Sequence, residues 1–479
     1  MRNRLAVALL LALVVCPRPG RAQGVEATAL DRYVSEPDPA YRIGQVLRLP
    51  VGGFTALVAE LASQRWREPA EVDRTEWKHW LTVVYPERIR FRTAILLING
   101  GSVSAAPPAP DPLLVLLAAE TGGVVADLRA VPNQPLQFAG EPSPLSEDAL
   151  IAYSWARFLD TGDDRWPARL PMTKAVVRAM DAVTELLQQQ NAGLVDRFIL
   201  VGASKRGWTA WSAAAVDPRV IAIAPLVIDL LNLQPSFLHH YRCYGFWAPA
   251  ISDYVRRGIM ERIEEPAFRE LLRIEDPYEY RGRLSLPKYI VNSAGDQFFL
   301  PDSSRFYWDD LPGEKYLRYV PNTDHALLGP DVVPSLLAWT EMILNGEPRP
   351  RFFWQADREA GRIRLRALDK PKSVLLWRAH NPEKRDFRLQ TIGPAWASTP
   401  VEPVDGVYEA AVEAPESGWT AFFLELTYDG PGGKPLVFTT EVLVVPDVCP
   451  GPDPGAAAEA AGRESAAAKR PFARKPGAP

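Results

Sequence analysis

A serine lodged between an apolar strand and a helix is the residue of this sequence best suited to nucleophilic chemistry. Phe198-Ile199-Leu200-Val201-Gly202-Ala203-Ser204-Lys205-Arg206-Gly207 reads as a strand running into Ser204 and then into a helix that ends near Asp217-Pro218. Such a nucleophile elbow holds the serine in a tight turn, so small residues are needed where backbone and sheet approach closely. Gly202 supplies one. Gly207 stands one place later than the usual Gly-x-Ser-x-Gly spacing, which makes the motif Gly-x-Ser-x-x-Gly. A serine that merely caps the helix is the alternative. A nucleophilic serine needs a base, and the imidazole needs a carboxylate to hold its tautomer, in the chain order serine, acid, histidine. Asp296, after a strand at 289–293, and His325, after a strand at 316–320, follow in that order. The oxyanion donors fall to the Lys205 N–H and to Gly100 and Gly101, in the loop that follows a strand at 94–98.

Other residues compete for these roles. Asp302 is near enough in sequence to replace Asp296, and Asp229 ends the strand before an insertion, where an acid would also reach the histidine. Asp324 suits a turn cap. Arg206, Trp208 and Phe298 are the candidate substrate contacts, with a salt bridge the competing role for Arg206 and core packing for Trp208 and Trp211, three apart on one helix. His239 and His240 look like metal ligands, but neighbours on a helix diverge by about 100 degrees, so surface or packing roles are expected. His79 and His380 sit in strand-like surroundings and read as structural.

These residues need a scaffold that brings strand ends together, and the hydrophobic pattern supplies it. Apolar runs at 94–98, 123–128, 197–202, 220–228, 288–293 and 316–320 alternate with helical segments, the signature of a parallel sheet with crossover helices. Val176, Met180, Val183 and Leu187 form one face of such a helix. The expected organisation is α/β: an N-terminal segment with antiparallel strands at 23–89, including one at 77–85, then a core at 90–345 with a helical cap inserted at 233–286. Beyond Gly346-Glu347-Pro348 the period becomes two, in Ile363, Leu365 and Ala367 and again at 373–379 and 422–426. With Asp429-Gly430-Pro431-Gly432-Gly433 as a hairpin turn, 350–446 reads as a separate β-sandwich. Residues 447–479 are too poor in large apolar side chains to fold alone.

Composition bounds the partners. At 47% hydrophobic and 23% charged the chain of 479 residues buries real cores, which excludes extended disorder for most of it. Its formal charge of −4 offers no basic field for nucleic acid. Residues 1–22 read as a cleaved signal peptide, with Arg2 and Arg4 ahead of an apolar run at 5–15 and a small-x-small site at Gly20-Arg21-Ala22, so secretion or delivery to a periplasm is expected. That run is shorter than the ~20 residues a stable span needs. An uncleaved anchor and a lipid at Cys16 are the minor alternatives. Losing this segment's four arginines takes the charge to −8. Cys243 and Cys449 then remain, expected as two free or buried thiols. Neither metal, nucleotide nor flavin motifs are found, so no cofactor is expected.

The sequence resembles the PhoPQ-activated pathogenicity-related protein family, exported bacterial proteins with an α/β-hydrolase fold. The resemblance rests on Ala29-Leu30-Asp31-Arg32-Tyr33-Val34, Val131-Pro132-Asn133-Gln134-Pro135-Leu136, Gly202-Ala203-Ser204-Lys205-Arg206-Gly207-Trp208-Thr209, Asp276-Pro277-Tyr278, Gly295-Asp296-Gln297-Phe298-Phe299 and Pro321-Asn322-Thr323-Asp324-His325. It implies a triad of Ser204, Asp296 and His325 and supplies no substrate. The elbow is also locally similar to that of glucuronoyl esterases. The expected function is an exported serine hydrolase of the esterase or peptidase class, acting on a small-molecule, peptide or carbohydrate ester substrate. The alternatives are a glucuronoyl-type carbohydrate esterase and a non-catalytic secreted binding protein on the same scaffold.

Overall fold

The apolar runs of the sequence become the middle of one long mixed sheet in the computed structural model, which describes residues 27–452. After helix α1 (Ala29–Ser35), strands β1 (Arg42–Val51), β2 (Phe54–Arg65) and β3 (Glu76–Tyr85) form an antiparallel meander. Then come β4 (Thr93–Ile98), β5 (Val124–Leu128), β6 (Arg197–Ala203), β7 (Val220–Leu226), β8 (Lys288–Ser293) and β9 (Lys315–Val320). The order across the sheet is β1-β2-β3-β5-β4-β6-β7-β8-β9, antiparallel up to β3–β5 and parallel from β5 to β9.

Parallel neighbours demand crossovers, and the helices provide them. Helix α2 (Pro112–Thr121) links β4 to β5, α3 (Glu147–Thr161) and α4 (Arg169–Gln189) link β5 to β6, and α5 (Lys205–Val216) links β6 to β7. Both faces of the central strands are therefore covered, which is why they are apolar throughout rather than alternating. Ala94, Leu96 and Ile98 face the core shared with Val176, Met180, Val183 and Leu187 of α4, whereas Ile95 turns to the opposite core with Leu114 and Ala118 of α2.

The cap runs from β7 to β8 and carries α6 (Leu233–Tyr244), α7 (Ser252–Arg256) and α8 (Pro266–Glu275). Asp276 pins it. Its carboxylate accepts the backbone N–H of Leu233 at 2.8 Å and of Tyr278 at 3.0 Å, closing the start of α6 onto the end of α8. Burial pushes this carboxyl up to about 7.

The C-terminal block departs from expectation. It follows α9 (Val332–Asn345) and contains β10 (Phe352–Asp357), β11 (Arg362–Ala367), β12 (Ser373–Asn381), α10 (Leu389–Ile392), β13 (Ala397–Pro400), β14 (Val407–Ala411), β15 (Trp419–Asp429), β16 (Pro435–Thr439) and β17 (Leu443–Val445). Instead of a separate sandwich, β16 pairs with β9 and the sheet continues β9-β16-β15-β12-β13, with β17 also on β15. Only β10, β11 and β14 form a second sheet. Its inward residues Ile363, Leu365 and Ala410 pack on Phe422, Leu424 and Leu426 of β15. The join covers β9, whose edge would otherwise expose unpaired backbone groups. A period of two identifies strands without identifying which sheet they enter.

Two further expectations are corrected. Cys243 of α6 and Cys449 form a disulfide across 206 positions, so they are not free thiols. The start of the supposed tail packs on the rest of the protein: Asp447 pairs with Arg305 at 2.8 Å and the Gly451 N–H donates to Arg242 O at 2.7 Å. The signal peptide expected at 1–22 and the tail from 453 onward lie outside the described residues. Among those described, no helix is long and apolar enough to cross a membrane.

Candidate active site

Ser204 sits between the last residue of β6 and the first of α5, at φ 55° and ψ −130°. A non-glycine residue held at positive φ costs about 1–3 kcal/mol, sustained only where the surroundings over-determine it. Here they do. A Cβ on Gly202 would lie 2.6 Å from Arg206 O, and one on Gly207 would lie 2.7 Å from Gly202 O and 2.9 Å from Ile228 Cγ2. The two glycines thus let the first turn of α5 press onto the end of β6. This explains the Gly-x-Ser-x-x-Gly spacing: position 206 meets the strand through its backbone, whereas a side chain at 207 would run into it. The turn is fixed further by Ser204 N–H donating to Leu226 O at 2.7 Å, and by buried Arg169, whose Nη1 donates to Lys205 O and Thr209 Oγ1 at 2.8 Å each.

Asp296 and His325 meet on the loops that follow β8 and β9. His325 Nδ1 lies 2.8 Å from Asp296 Oδ2 and 3.1 Å from Oδ1. Asp296 Oδ1 also accepts the Phe298 N–H at 2.8 Å, and Gln297 Oε1 accepts the His325 N–H at 3.1 Å. The ring of Phe298 lies 4.3 Å from the imidazole, centroid to centroid. So Asp296-Gln297-Phe298 grips the histidine by side chain, backbone and ring face. Gly295 permits the approach, since a Cβ there would lie 2.7 Å from Thr323 O. The loops are tied together by Ser293 Oγ donating to Thr323 O at 2.5 Å and buttressed by the C-terminal block, where Leu389 N–H donates to Gly295 O at 2.9 Å and Asn322 exchanges two hydrogen bonds with the Trp396 backbone. Ser204 and Phe298 line one cavity, which places the serine and the histidine's ring partner on a common space. His325 Nε2 makes no hydrogen bond among the described residues.

The glycine loop lies on the other side of the elbow. Asn99 Nδ2 donates to Asp127 Oδ1 at 2.6 Å and the Ala130 N–H donates to Gly100 O at 2.9 Å. Gly101 has φ 94°, and a side chain on Gly100 would run into the Arg206 guanidinium. Arg206 is therefore committed to the scaffold: its Nε donates to Val131 O at 2.6 Å and its fork to Glu147 at 2.7 and 2.5 Å. Lys205 Nζ lies 2.9 Å from Glu147 and 3.0 Å from Asp148. Gln134 completes the set, donating to Glu147 Oε1 at 2.5 Å and accepting the Glu147 N–H at 2.7 Å. Burial alone would raise the Glu147 carboxyl, but Arg206 and Lys205 hold it down to about 2. Neither cation after the serine is left unpaired for an anionic substrate. Sequence reasoning missed Glu147 because an acid in the first turn of a helix looks ordinary. The Val-Pro-Asn-Gln-Pro motif was the available signal.

The competing candidates have other partners. Asp302 is bound by Arg385 at 2.7 Å and His239 at 3.0 Å. Asp229 accepts the hydroxyls of Tyr307 and Tyr319, 2.6 Å each, and burial pushes it up to about 8. Trp208 is buried and donates to Glu275 O at 2.6 Å, the expected core role, and it also lines the cavity beside Ser204. His79 contacts Ser63 and Arg129 O, and burial holds its imidazole down to about 4, while His380 contacts Thr420 on the neighbouring strand. His239, Cys243 and Cys449 bring ligand atoms within 4.8 Å, the described group best able to hold a metal, but the two sulfurs are bonded to each other.

A mixed sheet with a parallel centre flanked by helices, a strained serine at the turn out of β6, and an acid and a histidine on the loops after β8 and β9 define an α/β-hydrolase-type fold. The chain belongs to the PhoPQ-activated pathogenicity-related protein family, whose sequence model matches residues 30–388. It is 36% identical over 478 residues to autocrine proliferation repressor protein A of Dictyostelium discoideum, covering 94% of this chain and 95% of that protein. Among solved structures it is similar to acetyl xylan esterase 1 from Thermoanaerobacterium sp., with TM-score 0.46 and 16% identity over 66% of this chain and 92% of that one. A glucuronoyl esterase from Solibacter usitatus gives TM-score 0.36 and 14% identity over 59% and 77%.

Proposed function

We propose that this protein is an exported serine hydrolase that cleaves esters by acyl transfer through Ser204, His325 and Asp296. The observation that carries the reading is the 2.8 Å bond from His325 Nδ1 to Asp296, with a serine held at positive φ on a cavity that Phe298, the ring partner of His325, also lines. With Nδ1 committed to the carboxylate, Nε2 is the basic nitrogen and takes the Ser204 proton as Oγ bonds to the carbonyl carbon. The developing oxyanion is met by the Lys205 N–H, at the free first turn of α5, and by N–H groups of Gly100 and Gly101. The ester C–O bond then breaks and His325 returns the proton to the departing alcohol. Water repeats the sequence on the acyl-serine, releasing the acid and restoring the serine.

Turnover of p-nitrophenyl acetate by the mature protein tests this, with Ser204→Ala as control. Loss of turnover in a folded variant is expected, and full activity in it removes the serine from the mechanism. A second reading, a secreted signalling or binding protein, draws support from the name of the Dictyostelium relative, an autocrine proliferation repressor. Under it the wild type would turn over no ester.

A further inference from the structure

The two spaces beside the elbow differ in kind. One is a small, largely buried cavity of about 40 Å³, lined by Ser204 and walled by Trp155, Trp208, Phe237, Ile251 and Phe298. The other is an open cleft of about 1180 Å³, lined by Gly100, Gly101, Arg129, Glu147 and Arg206. The polar groups that reach the small cavity are already engaged. Lys205 Nζ is paired with Glu147 and Asp148, and Asp148 also accepts the Tyr254 hydroxyl at 3.2 Å. His240 Nε2 accepts the Ala248 N–H at 3.1 Å, and burial holds this imidazole down to about 3, so it is neutral at working pH. No charge is left over to meet a charged acyl group.

Size narrows the choice further. At about 40 Å³ the cavity is far below the roughly 300–1,000 Å³ of a pocket that buries a drug-sized ligand. That favours an acyl tail of a few carbons over a hexuronic acid ring or a fatty chain. During turnover the alcohol must leave and water must enter while the acyl group stays on the serine, which assigns the small cavity, lined by Ser204 itself, to the acyl group. Building on the reading of Ser204 as nucleophile, we propose that the enzyme is selective for short uncharged acyl groups, acetyl to butyryl, and that Phe237 and Ile251 of the cap set this limit.

The test is the chain-length profile of the full mature protein on p-nitrophenyl acetate, butyrate and octanoate. We expect kcat/KM for octanoate at least ~10-fold below that for butyrate, since each misfit methylene in a closed pocket is worth a severalfold loss. Ile251→Ala, or the milder Phe237→Leu should that variant misfold, raises the octanoate-to-acetate ratio. A wild type that hydrolyses octanoate as well as acetate, while a fluorophosphonate still labels Ser204, overturns the acyl-size limit alone. A folded protein that neither turns over any of these esters nor takes the label overturns the hydrolase reading, and the acyl assignment with it.

Discussion

Glu147→Gln is the perturbation that most directly probes how the elbow is held. The carboxylate receives the Arg206 fork at 2.7 and 2.5 Å, Lys205 Nζ at 2.9 Å and the Gln134 amide at 2.5 Å. Its cationic partners are nearly enclosed, with side chains 8% exposed for Lys205 and 12% for Arg206, but Glu147 itself is 41% exposed. Breaking a fully buried pair costs ~3–5 kcal/mol, and solvent at the carboxylate screens part of that, so the expected loss is about 2 kcal/mol. Lys205 keeps Asp148, whereas Arg206 keeps only Val131 O, so the strain falls on the residue packed under Gly100. Urea unfolding followed by tryptophan fluorescence at pH 7 measures the loss. Because the folded carboxyl titrates near 2 rather than at its ordinary 4.5, its contribution is complete above about 4.5 and disappears as pH falls toward 2. The wild-type and variant stabilities should therefore converge across that window. A variant within ~0.5 kcal/mol of wild type at pH 7 would refute the account of the network.

Three further perturbations probe the rest of the site. Asp296→Asn should lower kcat by about 10³- to 10⁴-fold with little change in folding, because the imidazole loses its tautomer partner, and a steady-state rate within tenfold of wild type would argue against that partnership. Gly207→Ala drives a methyl into Gly202 O and Ile228, so about 1–3 kcal/mol of destabilisation is expected in a thermal melt, and an unchanged melt would show that the close approach is not needed. Cys449→Ser opens a disulfide spanning 206 positions and should cost ~2–5 kcal/mol, whereas a wild-type melt insensitive to reductant would show the bond contributes nothing.

The serine, acid and histidine loops were legible because each follows a short apolar strand, and burial on both faces makes such strands conspicuous. Its place directly after the strand at 289–293 also put Asp296 ahead of Asp302 and Asp229, and the structure gives those two to Arg385 and to Tyr307 and Tyr319. What pattern reading missed depends on contacts between distant segments. Thr439 meeting Leu317 turns a supposed separate domain into an extension of the sheet. Leu389 and Trp396 support Gly295 and Asn322 from some 70 or more positions away, and no periodicity records that. The Cys243–Cys449 bond was missed because Cys449 looked like part of a tail, whereas Asp447, Val448 and Gly451 around it are held by Arg305, Trp419 and Arg242.

Covalent labelling of the mature protein by a fluorophosphonate, with the modified peptide mapped by mass spectrometry, tests the central claim most directly. The account predicts labelling at Ser204, abolished in Ser204→Ala and sharply slowed in His325→Ala. A folded protein that stays unlabelled under conditions that modify known serine hydrolases, or that is labelled at another residue, would contradict it.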